Sequence, residues 1–99
     1  MSDFEIILQK AGREEILAQL AEECTELAQA ALKYRRALMA GKNPTPVKPY
    51  QALWQLQEEM ADVDVCVRAL GLSFLDEYVL GVSADKRARW RERLEEAEK

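Results

Sequence analysis

Two short acidic motifs carry the residues of this chain that are best suited to chemistry. Glu23 and Glu26 form one pair, and Glu59 and Asp62 form the other. Residues three apart on an α-helix are separated by about 300° of rotation and about 4.5 Å of rise, so both acids of a pair point to one side of their helix. Two such pairs on neighbouring helices could close around a divalent cation, because Mg²⁺ is bound mainly by carboxylate oxygens.

The composition limits what else the chain could do. Its 99 residues include no His, which excludes His general bases, Ser-His-Asp triads and the usual zinc sites. Any catalysis must therefore rest on carboxylates, Lys, Arg and a hard metal. The net charge of −4 makes a nucleic acid an unsuitable main partner, since phosphate backbones are bound by basic surfaces.

The chain also lacks the marks of a membrane or secreted protein. No apolar run approaches the ~20 residues that span a bilayer, and the first residues, 1–5, lack the basic start of a secretory signal. We therefore expect a cytoplasmic protein without a membrane partner. Cys24 and Cys66 lack metal-binding spacing, and we interpret both as reduced core or near-core residues.

The elements that position the acids are predicted to be helices. Apolar residues recur every three or four positions in a short segment that ends at Gly12, in a long one over 13–39 and in another over 50–70. The segment 41–49 contains Gly41 and three prolines, which predicts an exposed connection between antiparallel helices. The fold class is thus all-α, with residues 1–99 forming one antiparallel helical bundle.

A fourth helix is expected after Gly71. Ser73, with Asp76 three residues later, is a candidate N-cap, and Gly81 and Ser83 are positions where the helix could bend or break. A core face is predicted from the apolar residues Phe74, Leu75, Tyr78, Val79 and Val82. The charged tail continues this helix, with Lys86 and Arg89 as candidate phosphate ligands or as part of a solvated surface anchored by Trp90 and Leu94.

The first long helix has a wider apolar face than one partner helix requires. Its apolar residues between positions 16 and 38 cover a sector of roughly 160° at about 100° per residue. We therefore expect it to pack both on its own chain and on a second copy, giving a homodimer or a dimer of dimers. Glu23 and Glu59 fall at the borders of the apolar faces, where an ionised carboxylate is costly unless a cation or a donor meets it.

Spacing alone leaves a metal site and ordinary surface acids as alternatives. Glu92 and Glu95 have the same spacing in the charged tail, where no such site is expected. What distinguishes the two earlier pairs is their shared position beside long apolar helix faces.

The order of the motifs resembles a known family. Glu23-Cys24-Thr25-Glu26-Leu27, followed by Glu59-Met60-Ala61-Asp62-Val63, is similar to the paired motif of the MazG-like all-α nucleoside triphosphate pyrophosphohydrolases. The resemblance extends to the Gly-ended first segment and the Lys/Arg tail with Arg89-Trp90, and it is greatest to the short, single-domain, often phage-associated members. The Lys-then-Asn-Arg pattern that such tails often carry is absent from this chain.

The resemblance implies a helical bundle completed by dimerisation, with Mg²⁺, or alternatively Mn²⁺, bound by Glu23, Glu26, Glu59 and Asp62. It implies hydrolysis of a (deoxy)nucleoside triphosphate to the monophosphate and pyrophosphate. With no His in the chain, Glu23 is our candidate for assisting deprotonation of the attacking water. Two alternatives remain open: a related phosphoribosyl-nucleotide pyrophosphatase, and a non-catalytic helical dimerisation module.

Overall fold

A computed structural model of the chain describes residues 1–39 and 47–98 and is all-α over both ranges. The all-α class is therefore confirmed, whereas the predicted connection falls outside the described residues up to position 46. The four helices are α1 (Asp3–Ala11), α2 (Arg13–Leu38), α3 (Pro49–Ala69) and α4 (Glu77–Ala97).

Local capping chemistry sets the ends of α1. The Ser2 hydroxyl accepts a hydrogen bond from the Glu5 amide at 3.1 Å, and the Ser2 amide donates to the Glu5 carboxylate at 3.3 Å, which is a capping box. Gly12 then adopts φ +88°, a backbone conformation that residues with a side chain rarely adopt. This one residue turns the chain from α1 directly into α2.

Proline and glycine likewise mark the two ends of α3. Pro49 opens the helix, where its missing amide hydrogen would have no partner in any case. At the other end Gly71 has φ +79°, its amide donates to Arg68 and the Leu72 amide donates to the Val67 carbonyl. These two bonds form a Schellman motif, which satisfies the last carbonyls of α3.

α2 and α3 pack against each other as an antiparallel pair along a seven-residue repeat. In α2 the repeat runs through Ile16, Glu23, Ala30 and Ala37, and all of these except the partly buried Glu23 are buried. In α3 it runs through the following residues: Ala52, Glu59 and Cys66. Small residues dominate this seam, so the two helix backbones can approach closely.

The largest apolar cluster lies where α1 crosses the open end of this pair. Its buried members are Ile16, Cys66 and Ala69, with Phe4 and Leu8 packed against them from α1. Cys66 is thus a core residue, as predicted. Cys24 is exposed in this structure, so the same expectation was wrong for it within the single chain, because its face of α2 points away from α3.

The start of α4 differs from the prediction. Asp76 is the N-cap, and its carboxylate accepts a hydrogen bond from the Tyr78 amide at 2.9 Å. The Ser73 hydroxyl instead accepts from the Leu75 amide at 3.0 Å, which stabilises the preceding turn. Gly81 and Ser83 do not break the helix, since α4 is continuous from Glu77 to Ala97.

α4 packs against no other helix of the described chain. None of its side chains is buried, and Leu75 and Tyr78, expected in a core, are each 78% exposed. Most of the predicted core face is therefore left uncovered by the described residues of the chain. The radius of gyration of 17.4 Å is well above the ~13 Å typical of a compact domain of about 100 residues.

Across residues 1–39 and 47–98, no helix has the length and apolar character needed to cross a membrane.

Candidate metal centre

The structure brings the four acids named from the sequence into one group. One carboxylate oxygen from each of Glu23, Glu26, Glu59 and Asp62 lies within 4.8 Å of the others. The antiparallel pairing of α2 and α3 explains this convergence, because it places the middle of one helix opposite the middle of the other. We refer to these four residues as the acid cluster.

Glu23 and Glu59 form the inner part of the acid cluster. Both occupy positions of the seven-residue repeat in the seam between α2 and α3, where the neighbouring members are apolar. The Oε2 atom of each is buried and has no hydrogen-bond partner among the described residues. Such an oxygen loses its hydration without compensation, which costs free energy unless a cation or donor meets it.

The other Glu23 oxygen is already bound. The Gln19 side-chain amide lies one turn earlier on α2 and donates to Glu23 Oε1 at 2.7 Å. This hydrogen bond fixes the orientation of the carboxylate and directs the unpartnered Oε2 elsewhere. Gln19 was noted in the sequence only as a polar neighbour, and its spacing of four residues from Glu23 was the available signal.

Glu26 and Asp62 form the outer, exposed part of the acid cluster. The nearby Glu23 carboxylate favours a shared proton and repels a second negative charge, and so raises the pKa of Glu26 above its ordinary value of 4.5. Loss of some hydration beside the neighbouring side chains and the charge of Glu59 raise it further. Neighbouring acids thus oppose the ionisation of Glu26, and a bound cation would remove that opposition.

The donor atoms of the acid cluster suit a hard cation. All are carboxylate oxygens, which favour Mg²⁺ or Mn²⁺ over softer metals. The Cys66 thiol lies close by, and its pKa is raised chiefly by burial and then by the charges of Glu23 and Asp62. Because a thiol must lose its proton to bind a metal, Cys66 is a poor ligand here and acts as a packing residue. The residues present therefore fit Mg²⁺.

A groove beside the acid cluster contains polar and basic residues that sequence reasoning missed. Glu26 and Glu59 line one part of it, and Lys33 and Arg36 line another. The Lys33 ammonium donates to the Gln55 side-chain oxygen across the two helices at 3.3 Å. The available signal was that Lys33 lies seven residues after Glu26, which places both on one side of α2.

The two basic residues predicted from the tail are not brought to the acid cluster within one chain. Lys86 and Arg89 lie on α4, on a surface that they share with Trp90 and Arg93. Because α4 packs on none of the other described helices, the structure does not join these two residues to the acids.

Comparisons of this chain with protein-family models, with curated proteins and with solved structures found no match.

Proposed function

We propose that this protein is a Mg²⁺-dependent hydrolase that converts a (deoxy)nucleoside triphosphate to the monophosphate and pyrophosphate. The observation that supports it most is the acid cluster, in which four carboxylates converge and two buried oxygens lack partners. The order of the two acidic motifs, which resembles that of the MazG-like pyrophosphohydrolases, supplies the reaction type. Glu23, Glu26, Glu59 and Asp62 would hold the metal, with Mn²⁺ as a substitute.

In this reaction the acid cluster would hold the metal, and Glu23 would also act as the base. Mg²⁺ held by these four residues would neutralise phosphate charge and make the attacking water more acidic. Glu23, whose orientation is held by the hydrogen bond from Gln19 to Oε1, would take the proton from the attacking water. The water oxygen adds to the α-phosphorus, the bond from that phosphorus to the bridging oxygen breaks, and pyrophosphate leaves with the bonding electrons. Glu23 returns the proton to solvent.

The proposal includes a homodimer or a dimer of dimers. A second stripe on α2 recurs every three or four residues from Leu17 to Ala31, is interrupted by Arg35 and resumes at Leu38. All of its members are exposed: Leu17, Ala21, Cys24, Ala28, Ala31 and Leu38. Leu17 and Leu38 are 50% and 59% exposed, and the extended α4 adds further uncovered apolar side chains. A second copy that packs on this stripe would cover it by isologous contact, since the same small residues would meet across a two-fold axis.

The same assembly would supply the missing basic residues. Lys86 and Arg89 on α4 of one copy would approach the phosphates bound at the acid cluster of the other. Opposite charge on the two surfaces favours this arrangement, since the acid cluster is negative and the surface around Lys86 and Arg89 is basic.

The experiment is a panel of ribo- and deoxyribonucleoside triphosphates incubated with the protein in Mg²⁺ or in a chelator, with monophosphate and pyrophosphate measured together. We expect equimolar release of both products from at least one nucleotide in Mg²⁺, and none in chelator or with Glu59→Gln. Including a phosphoribosyl nucleotide tests the related pyrophosphatase. Failure to release pyrophosphate from any nucleotide would contradict the proposal and favour the dimerisation module.

A further inference from the structure

We propose that Lys33 and Arg36 bind the pyrophosphate half of the substrate within a single chain, in the groove that begins at the acid cluster. The identity of the full substrate rests on the proposed function, but binding of the pyrophosphate group does not. The groove is lined at one part by Glu26 and Glu59 and at another by the two basic side chains. It therefore offers a place for a metal and a place for an anion side by side.

The spacing along α2 suits a chain of phosphates. Lys33 lies about 10 Å beyond Glu26 along the helix axis and on the same azimuth, and Arg36 lies one turn further. Long side chains on a helix lean towards its N-terminus, so both cations extend back towards the acid cluster. A metal held by the acids and the two cations could thus contact the same pyrophosphate group from opposite ends.

The charges of these residues are available for a ligand. Neither ion pair found in the described part of the chain, Arg68–Asp64 and Arg91–Glu95, involves Lys33 or Arg36. Lys33 donates instead to Gln55, a neutral acceptor that orients the ammonium without cancelling its charge. Lys33 is also partly buried, which strengthens an interaction with an anion relative to one at an exposed position.

Neutral partners complete the groove. The side chains of Gln29 and Gln55 line it together with the cations and offer amide donors for phosphate oxygens. Without a metal the neighbouring carboxylates repel an anion, so we expect binding of pyrophosphate to require the divalent cation. This coupling distinguishes the groove from a general basic surface, which binds anions with or without a metal.

The test uses inorganic pyrophosphate, with its dissociation constant measured by calorimetry at saturating Mn²⁺. We expect Lys33→Gln and Arg36→Gln each to weaken binding about tenfold, as loss of one charge-assisted hydrogen bond implies. Arg35→Gln is the matched control, because Arg35 is adjacent and exposed on α2 but does not line the groove. Circular dichroism and the affinity for Mn²⁺ alone should be unchanged in all three variants.

Three results would overturn the inference: wild-type affinity for pyrophosphate in both groove variants, an equal loss in Arg35→Gln, or no metal-dependent binding of pyrophosphate by the wild-type protein. The outcome is separate from that of the proposed function. If Lys33 and Arg36 are required for pyrophosphate binding but no nucleotide is hydrolysed, the inference stands and the proposed function fails. If nucleotides are hydrolysed and both variants keep the wild-type KM, only the inference fails.

Discussion

Replacing Glu59 by Gln should stabilise the metal-free protein and weaken its response to Mg²⁺. Glu59 places an unpartnered, buried oxygen in the seam between α2 and α3, close to the equally unpartnered oxygen of Glu23. The substitution removes one negative charge and keeps the shape of the side chain. Its amide nitrogen can also donate a hydrogen bond to Glu23, which the carboxylate cannot do.

The expected size follows from the spacing of the charges. The carboxylate oxygens lie within 4.8 Å of one another, and two unit charges at that limit repel each other by about 0.9 kcal/mol at a dielectric constant of about 80 and by about 3.5 kcal/mol at about 20. We therefore expect the metal-free Glu59→Gln variant to be about 1–3 kcal/mol more stable than the wild type. For a domain of about 100 residues this corresponds to a rise in Tm of at least about 5 °C.

Mg²⁺ should reduce this difference in stability. A ligand at one hundred times its Kd adds about 2.7 kcal/mol to the stability of a protein that binds it only when folded. The wild type should gain this amount, whereas Glu59→Gln should gain much less because one ligand is lost.

Thermal unfolding at one protein concentration, with chelator and with Mg²⁺, measures both effects, and Glu58→Gln on the exposed side of α3 is the matched control. A lower Tm of Glu59→Gln in chelator, or equal stabilisation of both proteins by Mg²⁺, would refute the reasoning.

Three further predictions follow from the same structure. Turnover should fall by at least roughly two orders of magnitude in Glu23→Gln but stay within a few fold in the exposed Glu22→Gln, and equal losses would show that the acids are assigned to the wrong helix face. Because the folded-state pKa of Glu26 is raised above 4.5, protonation favours the folded protein: metal-free Glu26→Gln should be more stable than the wild type at neutral pH, and this advantage should shrink as the pH falls towards 4.5. A constant difference in unfolding free energy across that range would contradict this. Light scattering should report at least twice the protomer mass of 11.3 kDa, and Ala28→Arg, in the middle of the second stripe, should return it to that mass; an 11.3 kDa wild-type particle would be the contrary result.

The helices and the convergence of the acids were predictable because local signals determine them. Gly12 and Gly71 have the positive φ angles that end helices, and Pro49 opens one. The pairs Glu23/Glu26 and Glu59/Asp62 needed only helical spacing and an antiparallel arrangement to meet. Helical spacing is a property of a short segment, and an antiparallel arrangement follows from a short connection between two helices. Both can therefore be predicted from the sequence.

The position of the seam was not predictable in the same way. The most hydrophobic side of α2 includes Leu17 and Leu38, yet these are exposed, and the seam with α3 runs instead through Ala30 and Ala37. A prediction from the hydrophobicity of each helix face selects the face with the largest apolar side chains. Close packing of two helices instead favours the face with small side chains. The sequence therefore predicted Glu23 at the border of the apolar face of α2, whereas in the structure it lies in the seam between α2 and α3. The seven-residue spacing that joins it to Ile16 and Ala30 was the overlooked signal.

The surroundings of α4 could not be predicted because they depend on tertiary and quaternary packing. Its apolar residues indicate a helix with one apolar face, but their periodicity does not show which surface packs against that face. The same limit applied to Lys33 and Arg36, whose relation to the acid cluster depends on the groove between two helices.

Binding of Mn²⁺, measured by electron paramagnetic resonance, tests most directly whether the acid cluster is a metal centre. We predict saturable binding to the wild-type protein that is weakened at least roughly tenfold by amide substitution of any one of Glu23, Glu26, Glu59 and Asp62, with each variant retaining its helix content. Glu22→Gln and Glu58→Gln should bind as the wild type does. Equal weakening by these two exposed substitutions, or no saturable binding to the wild-type protein, would contradict the account.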